Sequence, residues 1–127
     1  MDLRRSQAVA EAIVLCLSDD LRRPPWRDHA NPLAGHCYVA SESYFHLVGR
    51  EQGFRPAFVR HEGQPHWFLM QGNHNAVIDL TGEQFLTCPP YRDGVYKGFL
   101  TLQPSKRAMT LMDRVAARLT ATTLTAR

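Results

Sequence analysis

The sequence predicts an α+β domain in which a helix beginning on a cysteine packs against an antiparallel sheet of three or four strands, with terminal helices flanking both. Three observations predict it. Apolar residues recur at helical spacing near both ends of the chain. A cysteine follows a proline- and glycine-bearing loop and opens a further helical pattern. Strand-like runs between residues 57 and 80 are punctuated by turn signals. At 127 residues and 44% hydrophobic, the chain has material for one core. It is read as a single domain over 1–127, with 120–127 expected to fray.

The first helix is predicted over 3–17, where Val9, Ala10, Ile13, Val14 and Leu17 fall on one face and Ser18-Asp19-Asp20 ends it. Cys16 lies in that apolar pattern and reads as a small core residue. Residues 21–35 hold three prolines and Trp26, which indicates an ordered loop. The second helix is predicted over 37–48, with Gly49 as its stop. Strands are predicted over 57–61, 66–71 and 74–80, joined by Glu62-Gly63 and Gly72-Asn73, so the three form a meander. Residues 87–98 form a Pro/Gly/Tyr-rich loop, and 99–102 are a candidate fourth strand. Ser105 caps a last helix over 106–119, with Ala108, Leu111, Met112, Val115, Ala116 and Leu119 on one face. Lys106 and Arg107 oppose the dipole of that helix, which calls for an acidic group nearby.

The stretch Pro32-Leu33-Ala34-Gly35-His36-Cys37-Tyr38-Val39-Ala40 carries the chemistry. A cysteine in the first turn of a helix sits in the positive field of the helix terminus, which favours thiolate, the reactive form. If Gly72 and Asn73 are the two loop residues of a hairpin, Gln71 faces His74 and His66 faces Asp79. That pair falls at a non-hydrogen-bonded site, where opposed side chains lie closest. A carboxylate there holds one ring nitrogen and leaves the other free to take a proton from a thiol. Cys37, His66 and Asp79 therefore read as nucleophile, base and orienting acid of an acyl-transfer site. Asn31 and the Cys37 backbone N–H are candidate oxyanion donors. Asn31 is equally a turn residue before Pro32, and Asp79 is also placed to cap the turn at Thr81-Gly82. His36, Arg60, His61 and Gln84 are candidates to line the substrate cleft; Trp67 alternates away from His66 and reads as core, and Cys88 as a loop thiol.

A cysteine on a helix N-terminus, a His-Trp strand and an aspartate on the next strand resemble the papain-like superfamily. Transglutaminase-like proteins and arylamine N-acetyltransferases share the Cys-His-Asp order. The motifs Gly35-His36-Cys37-Tyr38-Val39-Ala40-Ser41-Glu42, Val59-Arg60-His61-Glu62-Gly63, His66-Trp67-Phe68-Leu69, Ile78-Asp79-Leu80-Thr81-Gly82-Glu83-Gln84-Phe85 and Gly98-Phe99-Leu100, with Pro104-Ser105-Lys106-Arg107-Ala108, resemble the YunG-type family of small bacterial and phage proteins. The resemblance runs over about residues 26–118. It implies a papain-like fold and catalytic geometry more firmly than a substrate.

The expected activity is a thiol hydrolase or acyl transferase acting on an amide, isopeptide or thioester bond of a peptide or protein, with no cofactor. Peptide cleavage, deamidation and transamidation share the same acyl-enzyme. Two other classes remain: a non-catalytic binding or inhibitory module on the same scaffold, phage-encoded in one version, and a metal-dependent hydrolase using His36, His61, His66 and His74 with Cys37. Structural zinc favours Cys-x-x-Cys or His-x-x-x-His spacings, which do not occur here. The net charge of +3 is scattered, which argues against a nucleic-acid footprint. No stretch reaches the roughly 20 apolar residues of a membrane span. Three widely spaced cysteines argue for a reducing compartment, so a cytoplasmic location is expected. Oligomeric state is left open.

Overall fold

The computed structural model describes residues 3–31 and 33–125, with side chains described to residue 121. Three helices cover one face of a four-stranded antiparallel sheet of order β3-β2-β1-β4. The helices are α1 (Leu3–Cys16), α2 (Cys37–Tyr44) and α3 (Lys106–Thr125), and the strands are β1 (Arg55–His61), β2 (Gln64–Gln71), β3 (Ala76–Ile78) and β4 (Val95–Tyr96). The predicted class holds at this level, with α2 starting on Cys37 and packing on β2.

The helical periodicity becomes the main core. Val9, Ala12 and Ile13 of α1, Val39, Ala40 and Tyr44 of α2, and Ala108, Leu111 and Val115 of α3 are all buried together with Leu69 of β2. Successive strand residues point to opposite faces, so Phe68 and Met70 turn away from Leu69. They build a second cluster with Ala57 and Val59, covered by Val77, Tyr91 and Tyr96. The loop from residue 85 to β4 thus does on one face of the sheet what the helices do on the other.

Several boundaries differ from the sequence reading. The α2 pattern does run from 37 to 48, but its last turn, Phe45–Gly49, is π-helical. Gly49 is not the stop; a Cβ there would lie 3.1 Å from Tyr44 and 3.2 Å from Leu69, so the glycine lets the helix approach the sheet. The chain turns at Gly53, whose φ of +84° is left-handed. Glu62 and Gly63 both have positive φ and join His61 to its partner Gln64, the geometry of a two-residue type I′ hairpin.

The second hairpin is the main correction. Gln71 pairs with Ala76 and not with His74, so the loop is Gly72-Asn73-His74-Asn75. Positive φ at Gly72 and His74, with the Asn75 N–H donating to the Gln71 carbonyl at 3.2 Å, accounts for the two extra residues. The predicted third strand over 74–80 shrinks to Ala76–Ile78. The predicted strand at 99–102 does not form, and Val95–Tyr96 pairs with β1 instead. Phe99 is drawn off the sheet by packing against Tyr38, Phe45 and Trp67, and the Leu100 N–H donates to Tyr38 Oη at 2.7 Å. The C-terminal helix continues through 120–125, where fraying was expected; 126–127 lie outside the described residues.

Two buried charges hold the irregular segments. Arg22, 5% exposed, donates from Nη1 to the carbonyls of His29 (2.8 Å) and Trp26 (3.3 Å) and from Nη2 to that of Asn31 (2.9 Å). One guanidinium therefore shapes the loop that delivers the chain to Cys37. Glu42, fully buried, accepts the Ser105 N–H and Oγ–H, each at 2.7 Å. Ser105 Oγ in turn accepts the Ala108 N–H at 3.2 Å, so the predicted cap is present. The Glu42 charge also favours the Arg107 cation, one of the two misplaced charges at the start of α3, without forming an ion pair with it. Glu42→Gln substitutes an amide donor where two donors already converge, and hydrogen bonds to a charged group contribute about 1.5–3 kcal/mol. Urea denaturation should show a loss of that order, with Ser105→Ala losing about 1 kcal/mol.

Candidate active site

Cys37 is half-buried at the first position of α2. Gly35, two residues earlier, has φ +77°, and a Cβ there would lie 2.5 Å from Trp26 Cβ. The loop can therefore enter the helix only with glycine at that point. The preceding His36 is fully buried and its Nε2–H donates to the Ser18 carbonyl at 3.0 Å, which pins the start of α2 to the end of the first helical segment. Pro32 lies outside the described residues.

His66 on β2 is fully buried, and its Nε2 lies 2.7 Å from Asp79 Oδ2. The carboxylate can only accept, so the ring donates from Nε2 and is held in one orientation. This contact is made although the two residues are not cross-strand partners. With Gln71 opposite Ala76, β3 ends at Ile78 facing Leu69, and β2 has no β3 partner over 64–68. Lengthening the loop by two residues keeps every side chain on its face, because the strand period is two. Asp79 thus stays on the His66 side of the sheet, one diagonal step along, and leaves the ladder to meet the ring.

Asp79 is itself fixed by neighbours. Tyr91 Oη donates to Oδ2 at 2.6 Å and the Thr81 N–H to Oδ1 at 3.3 Å. The aspartate therefore caps the turn and holds the histidine, joining the two roles that the sequence left as alternatives. Burial, reinforced by the Asp79 charge, pushes the Tyr91 hydroxyl pKa up, which keeps it a donor. A Cβ on Gly82 would come within 2.8 Å of Asp79 Oδ2 and 3.1 Å of Tyr91 Oη. The imidazole lies between Phe68, near-parallel at 6.1 Å, and Phe85, edge-on at 4.8 Å.

The second ring nitrogen, Nδ1, is buried and has no partner of full hydrogen-bond geometry. Besides Asp79, the Cys37 thiol is the other polar side chain that interacts with the ring. Burial pulls the His66 pKa down most strongly. The hydrogen bond to Asp79, the interaction with Cys37 and the charges of both together outweigh it and raise the value to about 9. The folded value lies above the ordinary 6.5, so the imidazolium contacts stabilise the fold fully below that pH. The contribution is lost as pH rises through about 9.

Cys37 opens onto a cleft of about 290 Å³, walled by Trp26, Tyr38 and Trp67 and bordered by Gln84. Trp67, read as core, is half-buried and forms part of this wall, because the face opposite His66 is the one that α2 and Phe99 cover. Asn31 does not line the cleft: its Nδ2 donates to the Gln84 carbonyl at 3.3 Å and its Oδ1 accepts the Leu33 N–H at 3.0 Å. The Gln84 amide donates to the Thr81 carbonyl at 3.1 Å. Arg60 is exposed on β1 and also lies outside the cleft. His61 and His74 donate to the carbonyls of Thr87 and Gly94, each at 3.0 Å. Among the described residues, no group of three or more His, Cys, Asp or Glu side chains is arranged to hold a metal ion, and no helix is long and apolar enough to cross a membrane.

Tyr91, Gly82, Trp26, Arg23 and Arg107 were missed as site residues. Tyr91 and Trp26 sit in irregular segments with no periodicity to place them, and Arg107 gave its signal only as a charge at the wrong end of a helix. Comparisons with protein-family models, curated proteins and solved structures find no match to this chain.

Two measurements check this geometry. The His66 ring should titrate near 9 by NMR in the native protein and lower in Asp79→Asn. The urea midpoint should fall between pH 6.5 and 9, and His66→Gln should flatten that fall. Gly82→Ala should destabilise by about 1–3 kcal/mol through overpacking against the carboxylate and should lower the His66 titration midpoint.

Proposed function

We propose that the protein is a thiol hydrolase or acyl-transfer enzyme of papain-like type acting on an amide, isopeptide or thioester bond. The observation that carries the reading is a fully buried His66 with Nε2 held by Asp79 at 2.7 Å and Nδ1 left without a full hydrogen bond beside Cys37. A buried polar nitrogen without a partner is costly, and catalytic centres are where such costs are met.

Cys37 acts as the nucleophile. Its sulfur, having given its proton to His66 Nδ1, adds to the substrate carbonyl carbon, and the oxygen charge that develops is met by the Cys37 backbone N–H, one of the first N–H groups of α2 that lack an intrahelical acceptor. The proton held on His66 Nδ1 passes to the leaving amine or thiol as the carbon–heteroatom bond breaks, giving a thioester on Cys37. His66 then takes a proton from water, or from an acceptor amine, which attacks the thioester and restores the thiol. Asp79 holds the ring and stabilises its imidazolium form throughout, and Tyr91 holds Asp79. Asn31, tied to the Gln84 carbonyl, acts in this scheme by positioning the Gln84 border of the cleft.

Iodoacetamide labelling at pH 6, read by peptide mass analysis, tests the reading. Cys37 should react selectively over Cys16 and Cys88, and His66→Ala should slow it by roughly 10²-fold, the lower end of general acid–base contributions. Equal labelling of the three cysteines would overturn the enzyme in favour of a binding module. Hydrolysis of a peptide and acyl-thioester library, abolished in Cys37→Ser, identifies the bond cleaved.

A further inference from the structure

The cleft in front of Cys37 has a one-sided charge. Arg23 and Arg107 line it, and none of the residues lining it is a carboxylate. Neither guanidinium has an ion-pair partner among the described residues, whose four pairs involve Arg22, His61, His66 and Arg114. Arg107 donates from Nη1 to the Leu21 carbonyl, yet its Nε is buried with no acceptor. Glu42, the nearest compensating charge, has both oxygens occupied by Ser105. Arg107 also feels Arg23 directly: after burial, repulsion from Arg23 is the next influence holding its pKa below the ordinary arginine value. Two like charges are thus held at one small cleft, with a buried donor left over.

We propose that the substrate of this site carries a carboxylate beside the bond that Cys37 attacks, received by Arg23 and Arg107. This deepens the acyl-transfer reading and rests on it. A guanidinium fork matches a carboxylate bidentately, and both cleft guanidinium groups are without an ion-pair partner among the described residues. The volume of about 290 Å³ admits one or two residues of a peptide, with Trp26, Tyr38 and Trp67 against its apolar part. The carboxylate comes either from an acidic side chain or from a free peptide C-terminus.

Competing alkylation tests this on the intact protein. Iodoacetate and iodoacetamide deliver the same carbon to sulfur and differ in the carboxylate. The ratio of their rate constants at Cys37, divided by the same ratio at the exposed Cys88, reports the cleft alone. A value of roughly tenfold or more is expected from charge focusing in a cleft. It should fall with added salt and fall again in Arg23→Gln and in Arg107→Gln. Arg23 is exposed, so the first variant keeps the test informative if the second fails to fold. A ratio near one, or one unmoved by Arg23→Gln, overturns the proposal. If Cys37 reacts no faster than Cys88 with iodoacetamide, the catalytic reading fails instead. Protection of Cys37 from iodoacetamide by blocked tripeptides then separates the sources. A central glutamate in a fully blocked peptide identifies a side-chain carboxylate, and a triglycine with a free C-terminus identifies a terminal one. Equal protection by the same blocked peptide with glutamine in place of the glutamate overturns the assignment.

Discussion

The contact between His66 and Asp79 is the constraint around which the site is arranged. A ring with no exposed surface has to find hydrogen-bond partners inside the protein, and a carboxylate at 2.7 Å supplies one of them. To reach the ring, the chain leaves the ladder after Ile78, and the short β3 leaves the neighbouring edge of β2 open over 64–68. Gly82 admits the carboxylate, Tyr91 and the Thr81 N–H hold it, and Phe68 and Phe85 hold the ring. The short strand, the glycine and the tyrosine loop all follow from placing one aspartate against one histidine.

Buried charges position the cleft from the other side. Arg22 organises the loop from Trp26 to Asn31 by three carbonyls, and Glu42 organises the start of α3 by two donors from Ser105. Each is a charged group inside the fold held chiefly by backbone or hydroxyl groups; the one opposite charge is Asp19, 3.5 Å from Arg22 Nη1. Such groups are costly to bury unless every lone pair or proton is used, which makes them stringent about geometry. Through them the Trp26 wall and the Arg107 wall are fixed with respect to the helix that carries Cys37.

The helices and the first hairpin were legible because their signals are local. Apolar spacing marks α1, α2 and α3, Ser105 marks a cap, and Glu62-Gly63 marks a two-residue turn. The second hairpin was misread because Gly72-Asn73 satisfies a two-residue turn as well as the start of the four-residue loop the chain forms. The error of two residues preserved the face of every side chain, so Asp79 meets His66 despite the wrong register. A one-residue error would have put it on the far side of the sheet. The predicted strand at 99–102 failed because alternation alone does not say whether Phe99 packs on the sheet or, as it does, over Tyr38 and Trp67.

The sequence by itself determined the α+β class, the start of α2 on Cys37 and the side of the sheet on which His66 and Asp79 lie, because periodicity and helix-start chemistry act between near neighbours along the chain. Only the tertiary structure decided that Asn31 braces the Gln84 segment, that Tyr91 holds Asp79 and that Arg23 and Arg107 share the cleft beside Cys37. Arg23 and Arg107 are brought together by the packing of α3 and the loop after α1, and no local pattern records which distant charges the closing of a core will set side by side.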